Sequence, residues 1–202
     1  AMAVWGSASI GIPCQQMSAL QNAAARTLPG YSHKVGRSGA LALMLTPLGR
    51  RLDPRSIHNS SVIRAWANAL WHSALPVKVL DKILHTAYDE LQEHAWSWRV
   101  AYGPAHAYLL VTRSLGWRPL AAMLVSDHLG HQWDLMLVSP ALVQKQAKLA
   151  SHCIQPKCWP SRVASGPNWA AFHSASSKGS MTSHQKRAMA AAAAGGGLAT
   201  QA

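Results

Sequence analysis

DPRSIHNSSVIRAWANALWHSALPVKVLDKILHTAYDELQEHA, residues 53–95, carries two helical patterns separated by a proline. Asp53 can cap free backbone N–H groups, and Pro54, which has no N–H, loses nothing at a first helical position. Ile57, Val62, Ile63, Trp66, Ala69 and Leu70 then recur at helical spacing, and the pattern runs to about Ser73. Pro76 opens a second helix. Its Val79, Leu80, Ile83, Leu84, Ala87, Tyr88, Leu91 and Ala95 predict one continuous apolar stripe, while Asp89, Glu90 and Glu93 face solvent.

Downstream, Gly103-Pro104 starts a third helix that ends at Gly116. The period then changes. LAAMLVS (120–126) and QWDLMLV (132–138) flank Asp127–Gly130, with Trp133, Leu135 and Leu137 alternating, which predicts a β-hairpin. Asp127 and Asp134 read as turn and strand-surface residues, and His128 and His131 as a solvent-exposed turn. Ser139-Pro140 starts a helix through Ala150. Residues 151–180 mix Ser, Pro, Gly, His and Trp without a period and read as linker. Thr182 and Ser183 cap an alanine-rich helix that Gly195–Gly197 ends.

Upstream, residues 1–12 read as a short strand or extended lead-in. Pro13 opens a helix with Met17, Leu20, Ala24 and Leu28 on its buried face, stopped by Pro29-Gly30. The expected organisation has three parts: a basic helix and Gly-rich loop over 1–52, a helical domain with a β-hairpin near 120–138 over 53–150, and a basic linker with a terminal helix over 151–202. The fold class is mainly α, a helical bundle with one short β-hairpin and a flexible basic C-terminal segment.

Nineteen Lys and Arg against seven Asp and Glu give the 202-residue chain a net charge of +12. Residues 1–52 hold five basic side chains and no acidic one; residues 53–140 hold seven of each sign; residues 141–202 hold seven basic and none acidic. Two cationic ends around a neutral, Trp-rich centre point to a polyanionic partner, and basic ends that serve only solubility are the plain alternative. The cations are interleaved with Gly, Ser and His, which favours nucleic acid over a membrane surface. No apolar run approaches the ~20 residues that cross a bilayer, and no signal peptide is legible. Cys14, Cys153 and Cys158 are an odd number of thiols, as expected of a nuclear or cytoplasmic, intracellular location.

Catalytic constellations are sparse. Seven carboxylates with no paired aspartates cannot build a polymerase magnesium site, and Asp89, Glu90 and Glu93 read as a solvated helix face. The Cys153–Cys158 spacing is at the loose end of the zinc-site range, the spacings of His152, His173 and His184 match no common finger, and Cys14 has no motif histidine, so neither a metal nor any other cofactor is expected. Trp66, Trp71 and Trp133 lie in apolar patterns and read as core, which leaves Trp159 and Trp169 as candidates for base stacking. The loop Gly30–Gly39 (GYSHKVGRSG) sets His33, Lys34 and Arg37 among residues that let backbone approach a phosphate, although it is no Walker loop. The candidate nucleic-acid contacts are Arg26, His33, Lys34, Arg37, Arg50, Arg51, Lys145, Lys148, Lys186 and Arg187.

The order of four segments resembles the region after the polymerase palm in non-LTR retroelement reverse transcriptases. VWGSASIGIPCQQMSALQNAAARTL (4–28) resembles a thumb opening. GRSGALALML (36–45) with LDP (52–54) resembles the segment that follows it. LGW (115–117) with SDHLGHQWDLMLVSPALV (126–143) resembles a later hairpin and Ser-Pro segment, and SHQKRAMAAAAAGGGLATQA (183–202) resembles the helix before the downstream region. Trp5 stands where the family has Tyr, and Gln21 where it has Arg. The resemblance implies a thumb or connection fragment of a larger polyprotein, with the catalytic aspartates upstream of residue 1. Such a fragment is non-catalytic alone and grips the template–primer backbone through phosphates. Two other classes stay open: an independent basic helical RNA- or DNA-binding protein, and a Trp-rich module that docks a protein partner.

Overall fold

The computed structural model describes residues 11–27, 43, 51–72 and 75–154. These fall into two compact units, one of residues 15–27, 43 and 51–54, the other of 11–14 and 55–154. The smaller unit holds most of helix α1 (Cys14–Arg26). The buried line of α1 is Met17, Gln21 and Ala25, one position on from the predicted Leu20 and Ala24, which are half-buried. The Gln21 amide explains the rotation: its Nε2 donates to Asp53 Oδ1 at 2.9 Å, so a polar side chain is buried with its partner. Ala25 packs with Leu43. Leu28, the loop 30–39 and everything upstream of Gly11 lie outside the described residues.

The larger unit contains all of α2 (Pro54–Trp71) but its first residue, α3 (Val77–Glu93), a 3₁₀ turn (Trp98–Val100), α4 (Pro104–Ser114), three short strands and α5 (Pro140–Ile154). Proline does occupy the first residue of α2, α4 and α5, whereas Pro76 sits one position earlier, at the N-cap of α3. One core joins Val62, Ile63, Trp66 and Leu70 of α2 to Leu80, Leu84, Ala87 and Leu91 of α3, most of α4, and Val143, Ala147 and Ala150 of α5. The stripe predicted on α3 is therefore only half used. Val79, Ile83 and Tyr88 stay exposed because one contact face accommodates a single line of residues, and Ala95 lies past the helix end. Trp66 stacks on Tyr108 with ring centroids 4.9 Å apart and planes inclined by 15°.

The predicted hairpin is one half of a three-stranded antiparallel sheet. β1 (Arg118–Pro119) pairs with β2 (Leu124–Ser126), which pairs with β3 (Gln132–Asp134). The added strand β1 follows the turn at Gly116, whose φ is +66°, a backbone that glycine adopts without strain. Residues 135–138 leave the sheet, so Leu137 is exposed rather than alternating inward. Two helices fix the β1–β2 connection through one residue: Trp66 Nε1 donates to the Ala122 carbonyl at 2.9 Å, and the Ala122 N–H donates to Asp81 Oδ1 at 2.7 Å. Helix α5 runs to Ile154, four residues beyond the predicted end, so the linker does not begin at 151. Asn59 Nδ2 donates to Ser151 Oγ at 3.3 Å and Arg64 Nη1 to Gln144 Oε1 at 3.2 Å, an opposed order of contacts that makes α2 and α5 antiparallel.

Candidate nucleic-acid interface

Of the predicted contacts, the structure describes Arg26, Arg51, Lys145 and Lys148, and all four are exposed. Arg26 ends α1; Lys145 and Lys148 lie on α5 about one turn apart. His33, Lys34, Arg37, Arg50, Lys186 and Arg187 lie outside the described residues, as do Trp159 and Trp169.

A residue that sequence reasoning passed over joins the set. Arg64, exposed on α2, bonds to Gln144, the neighbour of Lys145 and one turn before Lys148. Three cations from positions 64, 145 and 148 thus lie along one pair of helices. No local signal links residues 80 positions apart; only the apolar lines that pair α2 with α5 do so. Neither helix contains a carboxylate.

All seven carboxylates of the chain lie in the described residues. Asp53 and Asp81 accept hydrogen bonds from residues distant in sequence, Asp127 accepts from its own turn and the strand after it, and Asp134 accepts from the Met136 N–H at 2.9 Å. The remaining three, Asp89, Glu90 and Glu93, sit in the last turns of α3, where Glu90 meets His106 Nε2 at 2.8 Å. Negative charge is therefore drawn inward or gathered at one helix end, and the α2–α5 surface is left positive.

Asp127 sits at the turn as expected, and it is buried there. It accepts from the N–H groups of Leu129 and His131 and from Trp133 Nε1, and its second oxygen lies 3.2 Å from His131 Nδ1. Burial raises its pKa, but the bonds from Trp133, the two backbone N–H groups and the His131 ring outweigh that and hold the carboxyl below its ordinary value. Gly130, at φ +89°, closes the turn without strain. The group is a turn built around one carboxylate, from which the Leu129 and His131 side chains project.

The first turns of α2 bury Ser56, His58, Asn59 and Ser60. His58 lies 5.8 Å from the Trp98 ring, and burial, with the Arg55 charge second, lowers its pKa to about 4. Among the described residues no three His, Cys, Asp or Glu side chains form a group able to hold a metal ion, and no helix is long and apolar enough to cross a membrane. Trp66 is buried as expected and Trp133 half-buried, but Trp71 is 42 % exposed. Compared with protein-family models, curated proteins and solved structures, the chain matches none.

Proposed function

We propose that this chain is a non-catalytic nucleic-acid-binding module that grips the sugar-phosphate backbone, and that it derives from the thumb or connection region of a retroelement reverse transcriptase. The observation that carries the binding is the carboxylate-free pair α2 and α5, with Arg64, Lys145 and Lys148 exposed along it. Contacts of this kind neutralise phosphates and release counterions, so they hold any sequence and weaken as salt rises. The ancestry rests on the ordered segment resemblance, and the remainder of a larger polyprotein would supply the polymerase aspartates.

Charge reversal tests the binding. Lys145→Glu with Lys148→Glu, and separately Lys34→Glu with Arg37→Glu, are expected to weaken oligonucleotide affinity by about tenfold or more at low salt. Asp89→Lys, which adds positive charge at the end of α3, is expected to leave affinity unchanged or raise it. Equal losses in all three variants, read by fluorescence anisotropy, would remove the assignment of these cations as contacts.

A second reading has its own support. Val79 and Ile83 stand exposed one turn apart on α3, an apolar pair suited to a protein partner.

A further inference from the structure

Trp71 lies in the apolar pattern of α2, yet its indole is 42 % exposed. Arg64, Asn68 and Trp71 are spaced by four and three residues, so at 100° per residue they fall within an arc of ~60° on the outer face of the helix. Arg64 is exposed and Asn68 half-buried. Arg64 is held by Gln144 at 3.2 Å, next to Lys145 and Lys148. A fork-shaped cation, a primary amide and an indole thus follow one another on a face whose two helices carry no carboxylate.

We propose that Trp71 is a base-stacking residue and that this face takes an unpaired polynucleotide strand. Phosphates meet Arg64, Lys145 and Lys148, the Asn68 amide lies between, and one base lays its π-face on the Trp71 indole. The inference rests on the proposed nucleic-acid function and adds to it a choice of single strand over duplex. Lysine and arginine alone do not make that choice, because both forms carry phosphates. An indole does, since bases inside a duplex are covered by their neighbours and only an unpaired strand offers a free face. The reach is suitable: seven helical residues rise ~10 Å, on the order of three nucleotides at a stacked spacing of ~3.4 Å. Stacking reads neither base identity nor the 2′-hydroxyl, so RNA and DNA strands are both ligands of this site.

The full chain is titrated with a 12-nucleotide oligodeoxythymidine, an oligouridine of equal length and a duplex of the same length, with thermal melting as a control for folding. Trp71→Ala is expected to weaken both single strands by roughly five- to 100-fold and to leave duplex affinity within about twofold. Trp71→Phe keeps an aromatic face and is expected to stay within about threefold of the parent on single strands. Equal loss on single strands and duplex, or no change on any ligand that the parent binds, would overturn the stacking role while leaving backbone binding intact. If the parent protein binds none of the three, the nucleic-acid function itself fails, and this inference with it.

Discussion

Trp66→Ala is expected to lower the stability of the larger unit by ~3–5 kcal/mol, read as a shift in the midpoint of urea unfolding. The residue is 4 % exposed and touches three parts of the fold at once. Its ring stacks on Tyr108 of α4, its Nε1 holds the Ala122 carbonyl, and its α2 position places it among Val62, Ile63 and Leu70. Truncation therefore opens a cavity, removes an aromatic pair and strands a buried acceptor. Tyr108→Phe is expected to act in the opposite direction. The Tyr108 hydroxyl is buried with no hydrogen-bond partner among the described residues, and burial pushes its pKa well up. Removing that oxygen leaves the stack intact and relieves a desolvation cost of about 1 kcal/mol or more. A Trp66→Ala midpoint near the parent's would show that this stack is not central to the core.

Acidification is expected to destabilise the protein in two stages. His58 takes up a proton near pH 6.5 when unfolded but only near pH 4 when folded, so between these values the unfolded state binds more protons. Stability is full above pH 6.5, falls as the pH drops, and has lost on the order of 3 kcal/mol by about pH 4. Asp127 acts in the next interval. Its folded pKa is depressed, so its contribution is present above the ordinary carboxylate range and is lost as the pH falls through the lowered value. Urea midpoints measured every half unit from pH 7.5 to 4 check the first stage. His58→Gln, which keeps a neutral polar side chain, is expected to flatten that interval. An unchanged slope in this variant would assign the acid sensitivity to other groups.

Helix positions on α2–α5 were legible because proline and apolar spacing are local signals. Leu80, Leu84, Ala87 and Leu91 are buried as their period requires, and Asp89, Glu90 and Glu93 are exposed. What failed depends on partners distant in sequence. Val79 and Ile83 look like core until one sees that a single line of α3 meets its neighbours. Gln21 gives no sign of burial without Asp53, 32 residues on. Asp127 reads as a turn residue and Asp134 as a strand-surface one, but nothing local shows that the Trp133 indole and two N–H groups converge on Asp127. The first strand, two residues long and containing Pro119, is too short to show any period.

The candidate interface was half legible. Lys145 and Lys148 stood out by charge, whereas Arg64 lies in a neutral stretch and joins them only through Gln144. Trp71 is exposed for the same reason as Ile83: an apolar pattern gives the width of a stripe, not how much of it a neighbour covers.

The affinity of the parent chain for an unpaired oligonucleotide across a salt series tests most directly whether a positive helical surface holds a phosphate backbone. Three phosphates met by Arg64, Lys145 and Lys148 alone predict a slope of log affinity against log salt of about −2, and further cationic contacts make it steeper. A slope near zero, or no association in dilute buffer, would contradict it.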